Sequence, residues 1–439
     1  MLNREQAKAL IQKATSSTKY YATVSISTTE QGVTRFANSE ISQNVTITDG
    51  AATITLYDGK KKVSCTTNAL LDSGMEQLVR DAESMLQFVP EGEFEAFPFS
   101  KEDVQEPVSD GTLARAFGVN ERAALVKQGV SHVEPGYTAS GALTLTCTAV
   151  ALGDTTGGFR YANYDSVSFN TVVTHESGTD GAAECISYTS APDIVGCFIK
   201  AQATSKAALN PIEPQLGGFT VVLSPVAFGD LLGFVARMLN AKSVEDGVSF
   251  VRGKIGQKVF GENLTIRDDI TNPELLPMPF DAEGNPRRVV PLIENGVVSA
   301  VVYDNKTALR QNMESTGHAI VSRWFAGAMP INLVVEGGDK SLEEIIASTE
   351  SGIFVNEFHY TNFVNARNLQ ITGLTRNGTF LIENGKITKP IATVRFTESM
   401  LDAFNNISAI SKGRELVSGF GAALVPAVRI ENFHFTSKP

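Results

Sequence analysis

Cysteine is scarce and scattered in this 439-residue chain: Cys65, Cys147, Cys185 and Cys197 form no C-x-x-C pair. That argues against a zinc ribbon and a disulfide scaffold, and suits a reducing compartment. Basic residues are in deficit, with 37 Lys plus Arg against 48 Asp plus Glu and a formal net charge of −11. A nucleic-acid binder needs a concentrated basic face to displace counterions from phosphate. The densest basic run, Lys60-Lys61-Lys62, adjoins Asp58-Gly59 and reads as a solvated hairpin turn, so no nucleic-acid partner is expected. Uninterrupted apolar runs are missing too. The most apolar segment, 219–239, contains Asp230 and Arg237 and is punctuated by glycines and a proline, so it is no membrane span. The opening "MLNREQAKALIQKA" is a charged amphipathic helix pattern rather than a signal peptide. Together these absences predict a cytoplasmic protein with no membrane partner.

What is present predicts a multidomain α+β protein. Residues 3–15 place Ala7, Leu10, Ile11 and Ala14 at helical spacing. Strand patterns follow in "YATVSIS", "TRFANSEISQNVTIT" and "AATITLYDGKKKVSCTT", with a hairpin turn at Asp58-Gly59. A second helix is expected over "SGMEQLVRDAESMLQF". The proline- and carboxylate-rich "PEGEFEAFPFSKEDVQEPVSDG" reads as a linker. A helix is expected over 112–131, a largely antiparallel sheet over 136–203, and a closing helix over "DIVGCFIKAQATSKAALN". The expected units are an N-terminal helix-plus-antiparallel-sheet domain at 1–97, a central sheet region at 108–212 and a strand-rich domain at 216–439. In the last, "PLIENGVVSAVVYD" and "TFLIENGKITKPIATVRF" share Leu-Ile-Glu-Asn-Gly, placing Asn295-Gly296 and Asn384-Gly385 in type I′ turns. Convergent hairpin chemistry explains that likeness better than duplication.

Local motifs for chemistry are few. His175-Glu176 is followed by Ser-Gly-Thr-Asp-Gly, a turn, and lacks a second imidazole one helical turn away, so it reads as a solvated loop. His318, His359 and His434 are far apart in sequence; convergence on one site is the sharp reading, and separately hydrogen-bonded imidazoles the bland one. Neither a phosphate loop nor a dinucleotide fingerprint is found, so no cofactor is expected.

The C-terminal half carries a more specific signal. "LTIRDDI", "GNPRRVVPLIENG", "ESTGHA", "INLVVEGGDKSLEEIIASTESGIFV", "LQITGLTRNGTFLIENGKI" and "GRELVSGFGAALVPAVRIENFHFTS" occur in order. This series resembles the TldD/PmbA family, and the N-terminal "DGAATITLYDG" and "DAESMLQF" extend the likeness over effectively the whole chain. The resemblance implies a catalytic TldD-type subunit paired with a PmbA-type (TldE-type) partner in a zinc-dependent peptidase of small peptides. Older naming links the family to DNA gyrase, but the acidic charge gives no support for DNA contact.

In the TldD type, the helix after the "VVL" strand carries H-E-x-x-x-H, and a cysteine near the C-terminus adds a ligand. Here the corresponding residues are Gly229-Asp230-Leu231-Leu232-Gly233-Phe234, and the last cysteine is Cys197. Glycine and phenylalanine cannot replace imidazole ligands, and a lone carboxylate cannot activate water as a zinc peptidase does. The expectation is therefore a PmbA/TldE-type subunit with degenerate positions Gly229, Asp230 and Phe234, no metal, no cofactor and no catalytic residue of its own; whether it is an enzyme stays open. Its expected partner is a TldD-type subunit or a second copy of itself, and its expected ligand a peptide. Phe358, His359, Tyr360, Asn362 and Arg367 are the candidate peptide-binding residues, against the alternative of core aromatics beside an exposed polar edge. Two rival classes remain: an independent hydrolase built around His318 and His359, and a homodimeric peptide- or protein-binding module.

Overall fold

The computed structural model describes residues 1–92, 95–321, 326–419 and 422–438. Its N-terminal half runs α1 (Arg4–Ser16), β1 (Tyr21–Ala37), β2 (Glu40–Asp58), β3 (Lys61–Thr67), α2 (Asp72–Leu86), α3 (Thr112–Ala116), α4 (Val119–Val130), β4 (Tyr137–Asp154), β5 (Phe159–His175), β6 (Asp180–Ser187) and α5 (Ile194–Ala207). The strands form one antiparallel sheet in the order β3-β2-β1-β4-β5-β6. Segments 1–97 and 108–212 thus contribute three strands each to a shared sheet, joined where β1 pairs with β4 from Thr23↔Asp154 to Phe36↔Gly141.

Alternation explains its layering, because successive strand side chains point to opposite faces. Ala22, Val24 and Ile26 of β1 and Ala52, Ile54 and Leu56 of β2 are buried in one cluster with Leu10 and Ile11 of α1 and Met75 and Leu78 of α2. Fully burying such a leucine or isoleucine stabilises by about 1.5–3 kcal/mol. The intervening Thr23, Ser25, Thr53 and Thr55 give β1 and β2 a second, hydroxyl-bearing face.

The helix expected over 112–131 is two helices. Gly118 is extended (φ −61°, ψ 174°), so Phe117 ends α3 and Gly118 starts α4. Arg122 of α4 then buries its guanidinium over Gly32 of β1, donating to the Phe117 carbonyl at 2.7 Å. A Cβ at position 32 would stand 2.2 Å from Arg122 Nη1, so only glycine leaves the room.

The C-terminal half runs β7 (Gly217–Leu223), α6 (Pro225–Arg237), α7 (Ala241–Glu245), β8 (Ile266–Asp268), β9 (Val290–Glu294), β10 (Val297–Val298), α8 (Asn305–Gln311), β11 (Ala319–Val321), β12 (Ala326–Ala328), β13 (Asn332–Val335), α9 (Leu342–Ala347), β14 (Ser351–Asn365), β15 (Gln370–Glu383), β16 (Lys386–Pro390), β17 (Arg395–Ser399), α10 (Met400–Asn405), β18 (Ile407–Ser418) and β19 (Ala422–Ser437). An 11-stranded sheet follows the path β10-β9-β8-β13-β19-β17-β15-β14-β7, with β16 paired to β15 and β18 to β19 off that path. Because β7 pairs with β19 as well as β14, the five strands from β19 round to β7 close on themselves. Helix α6 packs on β14, β18 and β19, and its Phe228, Leu231, Leu232 and Val235 belong to the main core.

The two halves meet through Phe99, Leu152 and Ala162 against Phe280, and through a 2.6 Å Arg288–Glu102 ion pair. No helix among the described residues is long and apolar enough to cross a membrane.

Candidate functional site

Strand β7 delivers the chain to α6, and β14 fixes where the helix begins. The Ser224 amide donates to the Val355 carbonyl at 3.0 Å, and its hydroxyl donates to the Asn356 carbonyl at 2.5 Å. The same hydroxyl oxygen accepts the Ala227 amide at 3.2 Å, and Pro225 occupies the first helical turn, where its missing N–H is no loss.

Each degenerate position then has a definite environment. Gly229 faces β18, where an added Cβ would stand 2.6 Å from Val417 Cγ2. Phe234 is 5% exposed and meets the Phe363 ring edge-on, with centroids 4.9 Å apart. Asp230 is the polar member of the three. Burial, then the negative charges of Glu357 on β14 and Glu184 on β6, push its carboxyl up to about 7, against a smaller opposing contribution from the Phe358 backbone. Glu357 and Glu184 are themselves raised, chiefly by burial. Asn377 Nδ2 donates to Glu357 at 2.8 Å, and the Ser418 hydroxyl donates to Glu184 at 3.0 Å. Sequence reasoning did not single out Glu184 or Glu357. They lie on strands of different sheets, and no local spacing announces their meeting with α6.

The segment 358–367 divides by orientation. Phe358 is 3% exposed and packs on Phe396 and Phe433, so it belongs to the core and offers a ligand no surface. His359 is half-buried; its Nε2 accepts from Arg376 at 2.8 Å, and burial followed by the Arg376 charge lowers its pKa. Tyr360 is 73% exposed with φ 51°, at a bulge where the pairing with β15 shifts register between His359 and Asn362. Asn362 and Arg367 are on the surface, the latter on a short 3-10 turn. A cavity of about 550 Å³ is lined by His359, Tyr360 and Arg376 together with Thr179 and Asp180, and neither Asn362 nor Arg367 is among its lining residues. Beyond Val355, β14 has left β7, and its pairings from Glu357 to Asn365 are with β15 alone.

The three histidines keep separate company. His318 is 2% exposed and lies 3.1 Å from Asp268. His359 contacts Arg376, and His434 Nδ1 lies 2.7 Å from Glu398. His175, at the end of β5, stands 2.8 Å from the Ser177 hydroxyl of its own turn. Among the described residues no three His, Cys, Asp or Glu side chains are grouped as metal ligands. The α6 positions do not fit the zinc site that the resemblance implies. At 229 the wall of β18 fills the ligand's place, at 234 a hydrocarbon ring does, and Asp230 faces other carboxylates.

The whole fold is shared with solved structures. TldE from Thermococcus kodakarensis superposes with a TM-score of 0.88 at 19% identity, covering 98% of this chain and 100% of that one. A Thermotoga maritima protein described as a candidate modulator of a DNA gyrase gives 0.85 at 20% identity, covering 99% and 100%. Sequence relatives include a metalloprotease of Methanothermobacter thermautotrophicus, 27% identical over 48% of this chain and 47% of its own length. The metalloprotease PmbA of Escherichia coli O157:H7 is 27% identical over 46% of this chain and 42% of its own length. The chain thus spans about half the length of the curated relatives it matches. The solved structures show the fold, and the sequence relatives point to a metallopeptidase-like class. The PmbA/TldA metallopeptidase C-terminal domain model matches residues 216–437, half of the chain, and the chain belongs to this TldD/PmbA family.

Proposed function

We propose that this chain is the PmbA/TldE-type, non-metal-binding subunit of a peptide-cleaving pair whose other member is a TldD-type catalytic protein. The observation that carries the reading is the packing of α6. Three side-chain positions that would have to supply ligands and a base instead hold a glycine pressed on Val417, an aromatic ring on Phe363 and a carboxyl among carboxylates. The chain contributes a wall of the chamber and a strand edge. The outer edge of β14 from Glu357 to Asn365 can take an extended peptide by main-chain hydrogen bonding, with His359, Tyr360, Asn362 and Arg367 beside it.

Zinc per chain, by elemental mass spectrometry on protein purified without tag or chelator, is expected near zero. The isolated chain is expected to leave peptides intact, and an equimolar mixture with an H-E-x-x-x-H homologue to cleave them in a chelator-sensitive way. About one zinc per chain, or cleavage by the chain alone, overturns the reading and makes it an enzyme in its own right.

A further inference from the structure

A second cavity, of about 550 Å³, lies between the hydroxyl face of the first sheet and the turns at 278–287 and 317–321 of the C-terminal half. Its near wall carries Ser25, Thr53, Thr55 and Ser64, with Tyr57 and with Lys62 at the exposed lip. Its apolar wall is Phe97, Val150, Leu152, Met278 and Phe280, and Glu283 stands on the far side. None of these residues belongs to the α6 site.

We propose that this cleft binds a small molecule carrying a primary ammonium and an apolar body, the ammonium on Glu283 and the body against Phe97, Leu152 and Phe280. Glu283 is held ready for that role. The Asp281 carboxylate accepts the amides of Glu283, Asn285 and Ala319, each at 2.9 Å, which fixes the turn, and Glu283 Oε2 accepts the Asn305 amide at 2.8 Å. Asp281 is therefore occupied, and Asp304 likewise accepts the Thr307 amide at 2.9 Å. Both nevertheless add negative potential at Glu283, with Lys62 across the cleft the opposing cation. Burial first, then Asp281 and Asp304, push the Glu283 carboxyl up to about 8. A half-buried acid in so negative a field is a ready partner for an incoming cation.

The cavity's size and walls select the kind of cation. Its volume falls in the range of sites for small organic ligands and far exceeds a metal ion. Among the described residues no ring of three His, Cys, Asp or Glu ligands surrounds such an ion. The hydroxyl rows can hydrogen-bond amide or ammonium groups, while the phenylalanine and leucine wall accepts hydrocarbon. Arg287 and His318, which also line the cleft, already have a partner: Arg287 donates to Asp268 at 2.6 Å, and His318 lies 3.1 Å from the same carboxylate. An α-amino terminus of a short peptide and a free aralkylamine share this chemistry.

Binding is read by isothermal titration calorimetry at pH 7, in two buffers of different ionisation enthalpy. The probes are phenylalanyl-glycinamide, its N-acetyl form and phenethylamine. The two amines are expected to bind with release of a proton, as Glu283 ionises against the ammonium, and the acetylated peptide at least tenfold more weakly. A tighter peptide assigns the site to peptide amino termini; a tighter phenethylamine assigns it to free amines. Glu283→Gln keeps an oxygen for the Asn305 amide and is expected to weaken both amines at least tenfold and abolish the proton release. Ser25→Phe, which fills the cavity and leaves the acid in place, is expected to remove binding as well. No saturable binding by millimolar amine, equal affinity for the acetylated probe, or binding that survives either variant overturns the proposal.

Discussion

Two buried carboxylate sites in the C-terminal half start from the same penalty and end shifted in opposite directions. Burial raises Asp268 on β8 as it raises Asp230 on α6. Asp268, however, accepts from Arg287 at 2.6 Å and from the amides of Ile331 and Asn332 at 2.7 and 2.9 Å, with His318 Nε2 at 3.1 Å. These partners overturn the burial effect and hold it at about 2. Asp230 meets Glu357 and Glu184 and goes to about 7. Partners, not depth, decide the sign. Asp268 ties β8 to the loops carrying Arg287 and His318 and so is architectural. Asp230, raised to about 7, holds its proton far above the usual carboxylate range beside β14, at the position where the resemblance places a general base.

The largest way to break this comparison is Asp268→Asn, which leaves the Arg287 guanidinium buried without its counter-charge. Removing one partner of a buried pair costs about 3–5 kcal/mol. Urea unfolding should show that loss, and Asp268→Asn with Arg287→Met should recover part of it. A single variant as stable as the parent would mean that solvent reaches the pair.

Gly229 tests the other site next. Gly229→Ala drives a methyl toward Val417 and should destabilise by about 1–3 kcal/mol, the usual cost of overpacking. Val417→Ala in the same chain should give much of it back, so that the double-mutant cycle shows coupling. The larger exchange of Gly229→His, Asp230→Glu and Phe234→His should yield no chelator-sensitive peptidase. It lacks a C-terminal thiolate, and its first imidazole has no room. Robust cleavage by that triple variant would break the account of α6.

What could be read from the sequence follows the range of the interaction. Asn295-Gly296 and Asn384-Gly385 turn their hairpins as expected, all four residues having positive φ, because type I′ geometry is written in two adjacent residues. The Asp58-Gly59 turn is displaced by one: Asp58 pairs with Lys61, leaving Gly59 and Lys60 at the tip. Asn38 and Ser39, at φ 50° and 63°, make a turn of the same kind without glycine, and it lay hidden inside "TRFANSEISQNVTIT". The pairing of β1 with β4 is beyond local reading, since alternation marks a strand but not its neighbour. The same limit applies to the site. Gly229, Asp230 and Phe234 were legible through the resemblance, as one helix of known place. Glu184 and Glu357, which set the charge of Asp230, enter only when two sheets are brought together. Phe358 was a candidate ligand-binding residue by composition, yet strand alternation turns it inward and His359 outward, and the bulge at Tyr360 turns that residue out as well.

The smallest effect is the one that sharpens the comparison most, because it is a difference of sign. An acid whose folded pKa stands above its unfolded value binds more protons when folded. Asp230, at about 7 folded against an ordinary 3.8, therefore weakens the fold progressively as pH rises from about 4 to 7, and fully beyond it. Asp268, at about 2, does the reverse: its contribution is present above about pH 4 and is lost as pH falls toward 2. Asp230→Asn should then be near neutral at about pH 4 and stabilising by about 1–2 kcal/mol at about pH 8, after allowance for solvent at the partly open site. Chemical denaturation of both proteins at the two pH values measures it directly. If the Asp230→Asn variant gains nothing at the higher pH, Asp230 is ionised there at no cost. Either a cation or a water-filled path would then have to offset Glu357 and Glu184, and the α6 position would be a cation site rather than a neutral wall.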